Sequence, residues 1–325
     1  MFDIFGLAAD NLLSPMILSF ALGLAAALAR SDLSVPEAAA KAMSLYLLFS
    51  IGFKGGVAVS GHGLDARLGA ALVAGVVLSA ALPIIAFALL RVLTSLSVTD
   101  RAAVAAHYGS ISIVTFVTAT SVLTERAIAA EGYMVAVAAA MEAPAIVSAL
   151  WLIARSGGGR RMDAGLWREI LLNGSIVLLV GAFLIGAITG EAGKARIDAF
   201  ITSPFQGVLC LFLLDMGLVA GRGLRGVRGL LGAGALAFGI IMPVIGAAAG
   251  LGAAMLLGLS AGGTALMMTL CASASYIAVP AAMRVALPEA NPSVYLTLSL
   301  GITFPFNLIV GIPSYVAIAT KMSGG

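Results

Sequence analysis

Two short runs of hydroxyl-bearing residues hold most of the chemistry in this chain: Gly109-Ser110-Ile111-Ser112-Ile113 and Ala272-Ser273-Ala274-Ser275-Tyr276. Each sets a Ser-x-Ser triplet beside small residues near the middle of an apolar stretch. Each also has a helix-breaking residue at hand, Gly109 in the first and Pro280 in the second. A helix interrupted at membrane depth is tolerated only where it is buried in protein or lines a cavity. Its free N–H groups then attract an anion and its free carbonyls a cation. Two such breaks meeting at the midplane would make a site for a small anion and a coupling cation. Gly109, Ser110, Ser112, Ser273, Ser275 and Tyr276 would face the solute, and Ser112, Thr115, Thr118 and Ser275 would offer oxygens to the cation. Serine and alanine at this spacing also serve simply to let membrane helices pack closely.

Acids inside apolar stretches are costly and rare, which singles out Glu142, just before Ala143-Pro144, and Asp215, between Leu214 and Met216. Either could ligate a cation or carry a proton, and either could instead be paired structurally. His107, beside Tyr108-Gly109, is a residue type that titrates near neutral pH, although most buried histidines are simply hydrogen-bonded. Lys54-Gly55-Gly56 reads as a helix stop with a snorkelling amine. Arg222, Arg225 and Arg228 read as a surface row touching anionic lipid. Cys210 and Cys271 have no metal-ligand or redox spacing and read as packing residues. A phosphate-binding Gly-rich loop ending in Lys-Ser/Thr is absent, as are His-x-x-x-His, Gly-x-Ser-x-Gly and any Cys/His cluster. ATP-driven pumping and an embedded enzyme are therefore disfavoured, no cofactor is expected beyond a coupling sodium ion, and nothing points to nucleic acid.

The elements that must position these residues follow from composition. Hydrophobic residues make up 61% of the chain and charged ones 10%, where a soluble domain carries about a quarter charged. The charges gather in short clusters between apolar stretches of about 17 to 28 residues, enough to cross ~30 Å of hydrocarbon as helix. Runs such as Leu68 to Leu90 are apolar on every face, which excludes a strand barrel. The expected fold is an all-α integral membrane protein of about ten helices. They lie at Leu12–Ala29, Glu37–Phe53, Arg67–Leu93, Arg101–Leu123, Gly132–Ala154, Arg168–Thr189, Phe200–Ala220, Leu230–Leu257, Gly262–Leu287 and Pro292–Thr320. The start, Met1-Phe2-Asp3-Ile4, lacks a basic flank, so the first span is expected to be retained. Twelve basic residues fall on one side (Arg30, Lys41, Arg91, Arg101, Arg155, Arg160, Arg161, Arg168, Arg222, Arg225, Arg228, Arg284). Six fall on the other (Lys54, Arg67, Arg126, Lys194, Arg196, Lys321). The first side is expected to be cytoplasmic, in the inner membrane of the cell, with both termini outside.

The halves also resemble each other. Leu45 to Gly52 lines up with Cys210 to Gly217 at a separation of about 165 residues, and Tyr108 to Ser112 with Cys271 to Ser275 at nearly the same offset. Five helices per copy would place the second copy upside down. That gives a five-plus-five inverted repeat, 1–155 and 168–325, joined by a cytoplasmic linker at 156–167, with helices 4 and 9 broken. Inverted repeats suit alternating-access transport.

Five runs together resemble the sodium-dependent bicarbonate transporters of the cyanobacterial type. They are Ile51-Gly52-Phe53-Lys54-Gly55-Gly56, Gly109-Ser110-Ile111-Ser112, Met141-Glu142-Ala143-Pro144-Ala145-Ile146-Val147, Ser273-Ala274-Ser275, and Ala290-Asn291-Pro292-Ser293-Val294-Tyr295. The likeness covers nearly the whole chain in order. It implies a mobile core and a scaffold, a homotrimer, sodium-coupled uptake of bicarbonate, and Ser110, Ser112, Ser273 and Ser275 at the bicarbonate and sodium sites. Tyr276 and Ala278 stand where those proteins carry an acid and a serine, and Asp215 where an apolar residue would be expected. The central loop, Arg155 to Leu166, is short, which weighs against control by a small cytosolic PII-like partner. The leading expectation is a symporter of sodium with bicarbonate or a similar small anion. The alternatives are a transporter of a small organic acid, coupled to sodium or to protons through Glu142 or His107, and a non-transporting sensor or scaffold. The last would call for a sizeable extramembrane domain or long tails, and neither is expected from these residues.

Overall fold

Helix starts follow local capping. Ser14, Ser97, Ser112 and Ser260 each accept a hydrogen bond from a backbone N–H in the first turn of the helix they precede, leaving fewer orphan donors at buried ends. A computed structural model describes residues 13–60, 66–155, 174–226, 231–276 and 287–322, with residues 168, 172, 279, 280 and 283 between them. The described helices are α1 (Pro15–Leu28), α2 (Glu37–Ser60), α3 (Ala66–Leu93), α4 (Val98–His107), α5 (Ile113–Glu125), α6 (Met134–Ala140), α7 (Glu142–Arg155), α8 (Gly174–Ile201), α9 (Phe205–Gly226), α10 (Ala233–Leu257), α11 (Ala261–Ala272) and α12 (Pro292–Met322). Two π-helical segments, Thr297–Thr303 and Asn307–Gly311, lie within α12. No strand occurs among the described residues.

Seven helical spans, with α6 and α7 counting as one over Met134–Leu152, are long and apolar enough to cross a membrane, and α1, α5 and α11 are apolar but shorter, with 14, 13 and 12 residues. Their outer faces expose Val73, Val77, Ile84, Ile240 and Val244, as expected of a surface solvated by lipid rather than water. This is a multi-pass membrane protein.

Several sequence-based boundaries are corrected. Lys54-Gly55-Gly56 does not stop a helix, because α2 runs on to Ser60. The sixth expected helix continues past Thr189 to Ile201 with a kink at Gly190 (φ 57°, ψ −154°), and the seventh starts at Phe205. In the stretch expected as the fourth helix, the chain is helical to His107 and again from Ile113. Ala278, Arg228, Arg284, Met1–Ile4 and the linker 156–167 lie outside the described residues.

The helices sort into two bundles. In one, α8 runs along α2 and α9 along α1; in the other, α3 holds α4, α7 and α10, while α11 packs on α10 and α12. Glycine sets the first bundle. A Cβ on Gly56 would strike the carbonyl oxygen of Phe183, one on Gly186 that of Phe53, and one on Gly217 that of Phe20, so these helices touch backbone to backbone. In the second bundle α3 braces the elements around Glu142. Pro144 has no N–H to continue a helical ladder, α6 ends at Ala140, and the Met141 carbonyl accepts a hydrogen bond from Ser79 Oγ at 2.6 Å. Gly109 abuts Pro83 of α3, where any Cβ would collide with the proline ring.

Candidate functional site

Between His107 and Ile113 the chain leaves the helix, and it leaves again after Ala272. These two non-helical segments meet and are tied by two hydrogen bonds. Ser275 N–H donates to the His107 carbonyl at 2.7 Å, and Ser112 N–H donates to Ser273 Oγ at 2.9 Å. The first bond serves a carbonyl orphaned at the C-terminus of α4, and the second a donor just ahead of α5. Ser273 Oγ also donates to the Leu270 carbonyl at 2.9 Å, which fixes its lone pairs toward Ser112.

Around this crossing polar groups accumulate in an otherwise apolar interior. Ser112 Oγ accepts from the backbone of Thr115 at 3.2 Å and from Thr115 Oγ1 at 2.9 Å. Ser110 Oγ donates to Glu142 Oε2 at 2.9 Å, and both residues are buried. Ser275 Oγ accepts from Val279 N–H at 3.4 Å. The Tyr276 ring packs edge-on against Phe304 at 5.3 Å. Its hydroxyl is buried with Ser112 as a polar neighbour and makes no hydrogen bond among the described residues. The structure thus brings together Gly109, Ser110, Ser112, Thr115, Glu142, Ser273, Ser275 and Tyr276. His107 lies at the edge of the group. Its Nδ1 is 2.7 Å from the Ala103 carbonyl, its ring stacks on Tyr295 at 4.6 Å, and its Nε2 is buried without a hydrogen-bond partner among the described residues.

Two expected ligands are not gathered in. Thr118 Oγ1 donates back to the Val114 carbonyl at 2.8 Å within its own helix. Asp215 is buried on α9 with Arg222 of the same helix as its charged neighbour, and no hydrogen bond or ion pair links it to the serines among the described residues.

Sequence reading missed the third wall, α12. Asn307 is fully buried, its Nδ2 donates to the Ala272 carbonyl at 2.9 Å, and its Oδ1 accepts from Tyr315 OH at 2.9 Å. It thereby caps the C-terminus of α11 from outside. Tyr108 OH is 2.6 Å from Thr303 Oγ1, which donates to the Gly239 carbonyl at 2.7 Å. Both α12 residues sit at π-helical segments, where an extra residue per turn redirects side chains and where functional sites recur. The available signal was a lone amide in an apolar span, Phe306-Asn307-Leu308.

Chemically the crossing offers a carboxylate, several hydroxyl oxygens and the first-turn amides of α5, where no intrahelical carbonyl serves the N–H groups of Ile113 and Val114. Such a set can hold an anion and a hard cation side by side. No cluster of His, Cys, Asp and Glu suited to a transition metal exists among the described residues. No curated protein matches the chain. A family model, that of the Na+-dependent bicarbonate transporter superfamily, matches residues 15–320. With that match spanning almost the entire chain, and with membrane-crossing helices around a buried hydroxyl and carboxylate cluster, this protein belongs to the Na+-dependent bicarbonate transporter superfamily.

Proposed function

We propose that this chain is a sodium-coupled symporter of bicarbonate that works by alternating access, with the crossing of residues 108–112 and 273–276 as its site. The observation that carries the reading is the pair of hydrogen bonds tying those segments together beside the Ser110–Glu142 contact. In this reading the anion lies against Ser110, Ser112, Ser273, Ser275, Tyr276 and the first-turn amides of α5. Sodium is held by Glu142 with oxygens of Ser112, Thr115 and Ser275. Asp215 and Thr118 have no direct part.

The seven long helices and three shorter ones are read as ten crossings in two inverted copies, 1–155 and 168–325, with interrupted fourth and ninth helices. Supporting this, the aligned residues Gly52 and Gly217 make the same kind of close contact: Gly52 meets α8 and Gly217 meets α1. The first and sixth crossings thus pair with the seventh and second. The glycine-packed bundle of α1, α2, α8 and α9 would be the scaffold and the other bundle the mobile core. A homotrimer in the inner membrane, with both termini outside, completes the reading; a PII-like regulator is not part of it.

One feature favours a second reading, a small organic acid moved with protons. The buried His107 Nε2 has no hydrogen-bond partner among the described residues and could take a proton. Uptake of labelled bicarbonate into proteoliposomes separates the two. Accumulation that requires an inward sodium gradient at fixed pH is the expected result. Accumulation driven by a pH gradient without sodium would replace it with the second reading.

A further inference from the structure

The two half-helices that end at the serine crossing, α4 and α11, begin with the same device built in two ways. Each starts on a serine cap: Ser97 Oγ accepts from Asp100 N–H at 3.0 Å, and Ser260 Oγ accepts from Gly263 N–H at 3.1 Å. A capping box needs, at the third helical position, an acceptor side chain that reaches back to the capping residue. In α4 that residue is Asp100, whose Oδ2 accepts from Ser97 Oγ at 2.7 Å. In α11 the third position is Gly263, which has no side chain to offer. Glu131, from the chain between α5 and α6, takes its place: Oε1 accepts from Ser260 N–H at 2.7 Å and Oε2 from Ser260 Oγ at 2.9 Å. A Cβ on Gly263 would collide with Glu131 Oε2, and one on Gly262 with the Ala129 carbonyl oxygen. The glycine pair thus opens a socket that the incoming loop fills.

Each acid also joins segments far apart in sequence. Asp100 Oδ1 accepts at 2.8 Å from the N–H of Asn291, the capping residue of α12. Glu131 joins the loop after α5 to the start of α11. Because α5 begins at the crossing, α11 ends there and the two pack together, they run antiparallel over about 18 Å, at ~1.5 Å per residue. Their inner ends are tied by Ser112 N–H on Ser273 Oγ, and their far ends by Ser260 on Glu131. A tie at each end fixes how far one helix slides along the other. That register decides where Ser273 and Ser275 stand relative to Ser110 and Ser112. The Glu131 carboxylate also complements the partial positive charge at the α11 N-terminus, which strengthens the far tie.

We propose that Glu131 and Asp100 are positioning residues for transport: each holds a half-helix in the register that keeps the two serine segments aligned for solute and sodium, and neither touches what is moved. With either tie lost, the aligned arrangement is populated only part of the time. Apparent affinity for both ligands then falls by that fraction, while the saturated rate holds. The assignment rests on the transport reading above and adds to it residues at the far ends of α4 and α11.

The test uses full-length protein in proteoliposomes, with initial rates of labelled bicarbonate uptake over a range of bicarbonate and sodium concentrations, and a melting curve for each variant. Glu131→Ala is expected to lower the melting temperature and to raise both the KM for bicarbonate and the sodium concentration for half-maximal rate about tenfold, with kcat within about twofold. Gly263→Asp in that background supplies the acid within α11 itself, as Asp100 does in α4. It should recover the melting temperature without recovering either constant, because the link to the loop stays broken. Glu131→Gln, which keeps an acceptor for Ser260 N–H, should stay within about threefold of wild type in both. Asp100→Ala should repeat the rise in both constants, which keeps the test available if Glu131→Ala does not fold. Unchanged constants in folded Glu131→Ala, or their full recovery with Gly263→Asp, would reduce Glu131 to a helix cap and overturn the proposal while leaving the transport reading intact. A wild type without sodium-stimulated uptake overturns the transport reading and this assignment with it.

Discussion

Glu142→Gln is expected to lower sodium-stimulated bicarbonate uptake at least about tenfold while leaving the amount of folded protein unchanged. The substitution keeps the shape of the side chain and an oxygen that can accept from Ser110 Oγ, so the link between the first segment and α7 survives. What it removes is a negative charge in a buried apolar setting. A carboxylate there needs a compensating proton or cation, and no Lys or Arg forms an ion pair with it among the described residues. If sodium supplies that compensation, the amide loses the coupling ion, and residual uptake should no longer respond to sodium. The check is the ratio of initial rates with and without the gradient, alongside a melting curve. Wild-type sodium dependence in Glu142→Gln would remove this residue from the cation site.

Gly56→Leu is expected to abolish the folded protein rather than transport alone. Adding methylenes to a packed interior costs about 1–3 kcal/mol even when side chains can shift. Here the obstacle is main chain, the Phe183 carbonyl with the Ala187 amide close behind. Relief requires α2 and α8 to separate, and with them the close contact of Gly186 on Phe53. Gly69→Leu is the matched control, since a Cβ there meets nothing within 4 Å. Size-exclusion chromatography of detergent-solubilised protein should show a monodisperse peak for Gly69→Leu and none for Gly56→Leu. A normal peak for both would refute the backbone-contact account of this bundle.

How far the sequence could be read depends on which interactions are local. Membrane residence follows from composition, because lipid-exposed helices must be apolar on every face. The serine triplets were legible because Gly109 and the small residues around them are local features; residues 108–112 and 273–276 are non-helical, and two hydrogen bonds bring the triplets together. Lys54-Gly55-Gly56 misled because a stop at glycine presumes water competing for the backbone. In an apolar interior the helical bonds hold, and the missing Cβ serves close packing instead. Thr118 was marked by type alone, and in the fold its hydroxyl donates one turn back along its own helix to the Val114 carbonyl. Asn307 and the Tyr108–Thr303 contact were not legible because each depends on α12 lying against α11 and α10. Asp215 was marked by its rarity alone, and rarity does not say which bundle a residue faces.

The central claim is that the crossing of the two serine segments binds what is moved. The most direct measurement is sodium-driven uptake of labelled bicarbonate by a Ser110→Ala, Ser275→Ala double variant, reconstituted beside wild type and matched for melting temperature. The main-chain bond from Ser275 N–H to His107 remains in this variant, so the fold should persist while two of the hydroxyls are gone. The account predicts uptake reduced to background in a folded protein. Uptake equal to wild type would contradict it and move the solute's path away from the crossing.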